Sequence, residues 1–326
     1  MKIIAFPKGL ENPYQKLLYE ALKRQGDVVK YVSLLFFLPQ IFFWRLCGYN
    51  VFHLHWANAF LLRYRKLAYW HYLVCLKTLQ LLGYKIVWTA HNVLPHEQAF
   101  PNDTIARKKL VDAADLVIAH SQSTLDGLAK IGIVPQRSVI IPHGSYVGVY
   151  PNAMSREDAR KKLGIDQKIF TYLYLGQVRE YKGVDTLIAA YEKIKNSGDK
   201  LIVAGKGSEI GHVAADELQT YFNAADVVVL PFKTITTSGS ALLALSFGKA
   251  VIVPRLGDLA LLPDEISYKY SPQESDGLIK AMKEAEKHPD ILVKKSKAAQ
   301  CYAEELGWPS IAEKTHRALS GLFQSR

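Results

Sequence analysis

The chain has 326 residues, of which 49% are hydrophobic and 22% charged, a composition that suits two globular domains and argues against a disordered or fibrous protein. Its three cysteines, Cys47, Cys75 and Cys301, lack metal-ligand spacing, which argues against a cysteine-based metal site and suits a reducing compartment. The net charge of +11 is concentrated in residues 1–150, which hold 17 Lys or Arg and 8 Asp or Glu.

The basic residues of this half favour an anionic partner. They are densest at Leu61–Lys66 and Arg107–Lys109, but no DNA-binding or RNA-binding motif accompanies them, so nucleic acid is not expected. The apolar segment Leu34–Phe43 is too short to span a bilayer, and the N-terminus shows no signal-peptide pattern. We therefore expect a cytoplasmic protein whose N-terminal surface lies against an anionic membrane. The alternative is a helix that buries its apolar face inside the N-terminal domain.

Strand-then-helix units repeat along the chain. Strands are predicted first at Lys2–Phe6, Val51–His55, Lys85–Thr89, Asp115–Ala119 and Ser138–Ile141, and then at Phe170–Leu175, Leu201–Ala204, Asp226–Leu230 and Ala250–Val253. Intervening helices are predicted at Tyr14–Gln25, Tyr69–Leu82 and Asp103–Ala113. A linker without periodicity, Ser145–Ser155, separates the two series. This alternation predicts two α/β domains, residues 1–150 and 151–307, each a doubly wound parallel sheet.

Histidines follow several strands of the first series. His55, His91, His120 and His143 all fall at predicted carboxyl ends of strands, which is the edge where ligands bind in open parallel sheets. Four histidines at one edge favour a polar cleft. Zinc binding is the alternative, but no HExxH motif or cysteine partner supports it.

Two segments of the second series predict an anion site. Arg179 and Lys182 lie in a loop between a strand and a helix, with glycines on both sides of the pair. After the strand Asp226–Leu230, the hydroxyl-rich segment Thr236–Ser240 precedes a helix, whose N-terminus carries unpaired amides and partial positive charge. A basic pair and a helix start that face one cleft would clamp a diphosphate. A solvated loop and a well-capped helix are the alternatives.

These motifs together resemble the bacterial glycosyltransferases of the GT-B superfamily that build exopolysaccharides and lipid-linked sugars. The resemblance spans nearly the whole chain, and its motifs are HLHW at His53, WTAHNVLPHE at Trp88, IPHG at Ile141, GQVREYKG at Gly176, LIVAGKG at Leu201 and the segment Ala224–Pro254. It implies two Rossmann-like domains that face across a cleft, with the acceptor on the first and the nucleotide sugar on the second. It also implies that the last helix, within residues 308–326, packs back on the first domain.

The resemblance also implies roles for individual residues. Arg179 and Lys182 match the basic pair that binds the donor diphosphate, and His91 matches a histidine that reaches the sugar. The expected donor set adds Thr237, Ser238, Gly239, Ser240, Gly9 and His143, and the expected nucleotide set is Gly176, Gly205 and Val213. The sequence has no acidic pair of the DxD type, so no metal or other cofactor is expected and the diphosphate charge falls to the protein.

One departure from the family pattern bears on mechanism. Many retaining members carry two glutamates after the DVVVLP-like strand, but Ile235 and Leu243 stand at those positions here. We therefore favour an inverting reaction, which needs a base on the first domain. Glu97 and His91 are the equal first choices for that base. The remaining choices are His96, Glu11 and Asp103.

The predicted function is transfer of a hexose from a nucleotide sugar, of the UDP-glucose or GDP-mannose type, to a polysaccharide or polyprenyl-linked acceptor. Two alternatives are a nucleotide-sugar 2-epimerase, which shares this architecture, and a catalytically silent binding protein at the membrane. Incubation with donor and lipid acceptor separates the three, because the sugar is transferred, epimerised or left unchanged.

Overall fold

The computed structural model describes residues 1–8, 13–34, 36–56, 64–95, 97–196 and 198–324. The chain divides into two compact units, which are Met1–Gly144 with Trp308–Arg326, and Ser145–Gly307. The first unit thus ends at Gly144, before the predicted boundary at residue 150, and the C-terminal segment belongs to it. Each unit is built on a parallel sheet, which confirms the predicted α/β class.

The first unit contains a six-stranded parallel sheet in the order β2-β1-β3-β4-β5-β6. Its strands are β1 (Lys2–Phe6), β2 (Val28–Tyr31), β3 (Val51–Leu54), β4 (Lys85–Ala90), β5 (Leu116–Ala119) and β6 (Ser138–Ile140). The sequence did not predict β2, which is an edge strand with a single buried residue, Val29, and therefore has no apolar run. The inner strands β1, β3, β4 and β5 are buried on both faces, as helix-covered parallel strands are.

Helices cover both faces of this sheet. They are α1 (Tyr14–Arg24), α2 (Phe37–Leu46), α3 (Arg65–Leu81), α4 (Asp103–Ala113), α5 (Gln122–Lys130) and, from the C-terminal segment, α12 (Trp308–Ser320). One hydrophobic core joins the sheet to α2, α3 and α4, and a second joins it to α1 and α12. Helix α1 buries Tyr14, Leu18 and Leu22, which are spaced four residues apart and so share one helix face.

Helix α12 is fixed to the first unit at both of its ends. At its start, the indole of Trp308 packs on Gly144 so closely that a Cβ atom there would lie 2.6 Å from the ring. Towards its end, His316 Nδ1 lies 2.8 Å from the buried carboxylate of Asp27, which also accepts a hydrogen bond from the N-terminal amine of Met1. The last helix therefore completes the core of the first unit.

The second unit contains a five-stranded parallel sheet in the order β11-β10-β9-β7-β8. Its strands are β7 (Phe170–Leu175), β8 (Asp199–Ala204), β9 (Val227–Val229), β10 (Val251–Pro254) and β11 (Ser267–Tyr270). Its α-helices are α6 (Arg156–Lys162), α7 (Val184–Glu192), α8 (Leu218–Ala224), α9 (Gly239–Ser246), α10 (Gly277–Lys287) and α11 (Pro289–Glu305). The unpredicted β11 is again an edge strand, with a mixed polar and aromatic sequence, SYKY.

A buried arginine links α6 to the sheet of this unit. The Arg160 guanidinium donates hydrogen bonds to the carbonyls of Ala224 (3.0 Å) and Ile169 (2.7 Å) and to the Asp226 carboxylate (2.7 Å). Asp226 also accepts a hydrogen bond from the Thr171 amide at 2.7 Å. The charge is fully buried, so these bonds are what makes its burial tolerable.

Candidate active site

Helix α9 of the second unit begins with the features of an anion site. It starts at Gly239 and is capped by Ser238, whose hydroxyl accepts a hydrogen bond from the Ala241 amide at 3.2 Å. The Gly239 and Ser240 amides of the first turn have no carbonyl of the helix to bind. The hydroxyl oxygen of Thr237 is buried and has no hydrogen-bond partner among the residues that the structure describes. The first turn thus offers donors and partial positive charge to an anion.

The loop after β7 places two cations close together. Arg179 is exposed and begins the turn Glu180–Lys182, in which the Lys182 amide donates to the Arg179 carbonyl at 2.9 Å. Within the described part of the chain, no carboxylate lies within ion-pair distance of Lys182. Its desolvation and the neighbouring Arg179 charge both lower the pKa of Lys182. A bound anion would offset both effects, so the pair is suited to a negative ligand.

Gly176, directly after β7, lies next to both the basic loop and the start of helix α9. A Cβ atom on Gly176 would lie 3.3 Å from Lys182 Nζ, 3.5 Å from the Tyr174 hydroxyl and 3.8 Å from Ser240 Oγ. Because glycine has no side chain, a phosphate oxygen can approach the backbone here. The structure therefore brings together Lys182 and Ser240, two of the residues predicted to bind the diphosphate, beside a glycine predicted to bind the nucleotide. No local sequence signal marked Tyr174 as part of this site.

A second tyrosine borders the helix start. A Cβ atom on Gly239 would lie 3.4 Å from the Tyr146 hydroxyl, and the Tyr146 amide donates to Ser246 Oγ at 2.9 Å. The segment that carries Tyr146 was predicted as a linker, so no sequence signal marked this residue. Burial raises the pKa of the Tyr146 hydroxyl, so this group stays protonated and can donate a hydrogen bond.

Two further glycines shape the loops around this point. Gly183 has φ +67°, and a Cβ atom on it would lie 2.0 Å from the Pro231 carbonyl oxygen. Gly205, at the end of β8, has φ +128°, and a Cβ atom there would lie 2.1 Å from the Gly176 carbonyl oxygen. Only glycine fits either position, so the predicted nucleotide residue Gly205 also holds the loop that contains Gly176. Val213 lies further along, in the irregular segment before α8.

A cavity of about 520 Å³ lies beside this region of the second unit. It is lined mainly by α7, β8 and the loop 207–210, and includes neither Lys182 nor Ser240. The convergent polar groups at Gly176, and not this largely apolar cavity, are therefore the better candidate for a diphosphate.

In the first unit, the histidines at the strand ends lie against one another. His91 Nε2 is 3.1 Å from His55 Nδ1, and His91 Nδ1 is 3.2 Å from His120 Nε2. Desolvation, followed by the neighbouring histidines, holds the pKa of His91 well below its usual value. Both ring nitrogens of His91 are thus engaged and the ring is neutral. This arrangement disfavours His91 as the general base. His55, His120 and His143 are buried in one cluster, and the polar cleft expected at this edge stays a prediction.

His143 was predicted to bind the donor and lies in the same cluster. It is buried beside Tyr14 and Trp308, and its Nδ1–H donates to the Gly144 carbonyl at 2.7 Å. The pKa of His143 is lowered to about 3, mainly by desolvation. Among the described residues, no group of three His, Cys, Asp or Glu side chains is placed to hold a metal ion. The expectation that no metal is needed stays a prediction.

The remaining base candidates differ in their surroundings. Glu97 is exposed on the loop before α4. The Asp103 carboxylate accepts a hydrogen bond from the Phe100 amide at 2.9 Å, so it is engaged in holding the loop before α4. Gly9, Glu11 and His96 lie outside the described residues. Glu97 therefore becomes our first choice for the base.

Comparison with known proteins assigns both units. Residues 23–145 match the family model of Glycosyltransferase Family 4, and residues 169–287 match that of Glycosyl transferases group 1. The two matches fall in different units and together cover most of the chain. The chain belongs to the group 1 glycosyltransferases. The resemblance to glycosyltransferases inferred from its motifs is thereby confirmed, and the exopolysaccharide or lipid-linked type stays a prediction.

Curated relatives are glycosyltransferases as well. The chain is 25% identical over 287 residues to a GDP-mannose:glycolipid 4-beta-D-mannosyltransferase of Xanthomonas campestris pv. campestris, covering 80% of this chain and 74% of the relative. It is 26% identical over 200 residues to D-inositol 3-phosphate glycosyltransferase 1 of Catenulispora acidiphila, covering 51% and 48%. This glycosyltransferase therefore uses a nucleotide-sugar donor, and the epimerase and silent-binder alternatives are set aside.

Solved structures confirm the GT-B fold. Sucrose-phosphate synthase of Thermosynechococcus elongatus superposes with a TM-score of 0.80 at 19% identity, over 99% of both chains. Anabaena HepE in complex with UDP gives a TM-score of 0.78 at 15% identity, over 98% of this chain and 99% of that one. At such identities the agreement shows the fold alone.

Proposed function

We propose that this glycosyltransferase transfers mannose from GDP-mannose to a glycolipid at an anionic membrane surface, without a metal and with inversion. The Xanthomonas relative, which spans most of the chain, is named for this donor and for a glycolipid acceptor. UDP-glucose is the second candidate donor. The structural neighbour HepE, which is 16% identical to this chain, has been crystallised in complex with UDP-glucose.

The observation that carries the proposal is the convergence of polar groups at Gly176. Lys182 Nζ and Ser240 Oγ both border this glycine, and Ser240 belongs to the first turn of α9. Negative charge develops on the leaving diphosphate as the sugar bond breaks. A positioned ammonium and helix amides stabilise that charge, which is the work that a metal ion does in other transferases.

Nucleotide binding tests this site directly. We expect calorimetry to show that GDP binds the parent protein more tightly than UDP or ADP does. Lys182→Gln should lower the affinity for GDP by tenfold or more, equivalent to at least about 1.4 kcal/mol of binding free energy. The matched control is Lys233→Gln, because Lys233 is on a neighbouring loop and already pairs with Asp185 at 2.7 Å. Equal GDP affinity in the parent and Lys182→Gln would overturn the site, and tighter UDP binding would overturn the donor.

Two helices of the first unit support a lipid acceptor. No helix formed by the described residues is long and apolar enough to cross a bilayer. Helix α3, however, exposes Leu67, Trp70, Val74 and Leu81, which are spaced so that they form one stripe along the helix. The adjoining helix α2 exposes Phe42, Phe43 and Leu46, and the exposed Arg65, Lys66 and Lys77 lie on α3.

This stripe extends the membrane surface that the sequence suggested for Leu34–Phe43. Helix α2 buries Phe37 and Ile41 and packs Leu38 partly against the core, whereas Phe42 and Phe43 stay exposed. Aromatic and aliphatic side chains beside lysine and arginine are the composition of an interfacial helix on an anionic bilayer.

Vesicle flotation tests the membrane proposal. We expect the protein to float with phosphatidylglycerol vesicles at low salt and to be released as salt rises, since electrostatic attraction is screened. Trp70→Gln with Leu67→Gln should reduce the bound fraction. Ile188→Gln, which removes an exposed apolar side chain from the second unit, should not. No binding to anionic vesicles at low salt would refute the proposal.

The stereochemistry is tested on the product. GDP-mannose carries its sugar in the α configuration, so a β-linked product requires a single displacement with inversion. Proton NMR of the purified product gives the anomeric configuration, and an α-linked product would refute inversion. As the proposed base, Glu97→Gln should reduce kcat at least a hundredfold with unchanged GDP affinity, within the range of about 10²–10⁴ for lost acid–base catalysis.

A further inference from the structure

A chain of hydrogen bonds runs through the histidines of the first unit and ends at a carbonyl group. His120 Nδ1 lies 3.0 Å from the Ile141 carbonyl oxygen, which can only accept, so Nδ1 carries the proton. In a neutral ring His120 Nε2 then accepts, and His91 Nδ1–H donates to it across 3.2 Å. His91 Nε2 must accept in turn, from His55 Nδ1–H at 3.1 Å. One carbonyl therefore sets the tautomer of three successive rings.

The same logic continues to the far end of the chain. His55 Nε2 accepts from the Tyr19 hydroxyl at 2.7 Å, and the Tyr19 oxygen accepts from His53 Nδ1–H at 2.9 Å. His53 Nε2 accepts from the Thr89 hydroxyl at 2.7 Å. Every donor points the same way, and all four histidines carry their proton on Nδ1. We call this set the histidine relay: Thr89, His53, Tyr19, His55, His91, His120 and the Ile141 carbonyl.

The surroundings keep the relay neutral. Burial alone lowers the pKa of His53 to about 3, and burial with the adjacent histidines holds the pKa of His55 well below its usual value. Tyr19 is completely buried, and burial raises its pKa, so its hydroxyl keeps the proton that it donates. The relay is thus a rigid, fully paired polar network of the kind that specifies one arrangement of its members.

A partly buried tryptophan, Trp56, packs against the His91 ring of the relay. The indole of Trp56 lies flat on the His91 ring, with centroids 4.3 Å apart and an interplanar angle of 8°. Trp56 is only partly buried, and it directly follows β3 and His55 at the carboxyl edge of the parallel sheet, where ligands of such sheets bind. Among the described residues, nothing accepts a hydrogen bond from its indole N–H.

We propose that Trp56 is a sugar-binding residue of the first unit, which stacks on a pyranose ring of the acceptor, and that the histidine relay positions it through His91. An indole face suits the C–H face of a pyranose, and its N–H can donate to a ring hydroxyl. His91 is then a positioning residue, whose tautomer and ring plane are set by its two neighbours. This inference rests on the proposed transfer to a sugar-bearing acceptor.

The tautomers are tested by two-bond nitrogen–proton NMR of the imidazoles at pH 7. We expect the Nδ1–H pattern for His53, His55, His91 and His120. Tyr19→Phe keeps the ring but cuts the relay between His53 and His55, so the Nε2–H tautomer of His53, which can donate to the Thr89 hydroxyl, should appear while His55 stays Nδ1–H through its bond to His91. A parent spectrum with an Nε2–H tautomer at any of the four would overturn the relay.

The role of Trp56 is tested with octyl glucoside, octyl mannoside and octyl galactoside below their micellar concentrations. We expect at least one glycoside to bind saturably and to change the parent's tryptophan fluorescence. Trp56→Phe should lose most of that signal while calorimetry shows near-parental affinity, whereas Trp56→Leu should bind the glycoside roughly tenfold more weakly. Val134→Ala, which changes an exposed apolar side chain of the first unit outside α2 and α3, should bind it like the parent.

The outcomes separate this inference from the proposed function. GDP affinity should be the same in the parent, Trp56→Leu and Tyr19→Phe, since they alter only the first unit. Equal glycoside affinity in the parent and Trp56→Leu, or no saturable fluorescence change with any glycoside, would overturn the role of Trp56. A parent that binds the glycosides but not GDP would instead overturn the proposed donor.

Discussion

Lowering the pH from 7 to 5 should destabilise the first unit, because it buries histidines in their neutral form. The pKa of His53 and of His143 is lowered from 6.5 to about 3, mainly by desolvation. Below pH 6.5 the unfolded chain therefore binds protons that the folded chain does not. The stability that these two neutral histidines contribute to the folded state is fully present above pH 6.5 and is lost as the pH falls towards 3.

The expected loss follows from the same values. At pH 5 each histidine is 1.5 units below its unfolded pKa and still well above its folded one. At about 1.36 kcal/mol per unit, each contributes a loss of about 2 kcal/mol, and the two together about 4 kcal/mol. His55 and His91, whose pKa values are also lowered, act in the same direction. Such a loss is a large part of a typical total stability of about 5–15 kcal/mol.

Tryptophan fluorescence is a selective assay for this loss. The chain has five tryptophans, Trp44, Trp56, Trp70, Trp88 and Trp308, and all of them belong to the first unit. Urea titrations at pH 7 and pH 5, followed by fluorescence, therefore report the unfolding of that unit. Carboxylates add little in this range because their usual pKa values lie below 5.

A pair of variants makes the pH experiment specific. His143→Gln should reduce the difference between pH 7 and pH 5 by about 2 kcal/mol, because one proton is no longer taken up on unfolding. His212→Gln should leave it unchanged, since His212 is exposed and lies in the second unit. A parent protein that loses less than about 1 kcal/mol between these pH values would refute the reasoning.

Three further predictions concern single residues. Gly176→Ala should lower the affinity for GDP roughly tenfold in calorimetry, because the new Cβ atom would occupy the space beside Lys182 Nζ. Unchanged affinity would contradict this. Asp226→Ala should cost the second unit about 3–5 kcal/mol in urea unfolding followed by circular dichroism, because Arg160 stays buried without its carboxylate. Asn102→Ala should cost the first unit about 1 kcal/mol by fluorescence, since Asn102 caps α4 through the Ile105 amide at 2.9 Å.

Much of the fold could be predicted from local patterns. The strands β1 and β7 and the helix α4 have the predicted bounds, because buried parallel strands are continuous apolar runs and capped helices have local start signals. The two strands that were missed, β2 and β11, are edge strands. An edge strand needs no apolar run on both faces, so its pairing is set by the neighbouring strand and not by its own sequence.

The sites were predictable only in part. Arg179, Lys182 and Ser238–Ser240 could be singled out because a basic loop and a hydroxyl-rich helix start each have a local signature. That Lys182 Nζ and Ser240 Oγ both reach Gly176 depends on how β7, β9 and their loops pack, which no local pattern encodes.

The histidines show the same division more sharply. Their places at the strand ends could be derived from the sequence, which predicted a polar cleft at that edge. Their roles could not, because Tyr19 enters the cluster from α1 and bonds His53 and His55, which follow it by more than thirty residues. A histidine is a base only if a ring nitrogen remains to accept a proton, and the packing of neighbouring strands has engaged both nitrogens of His91.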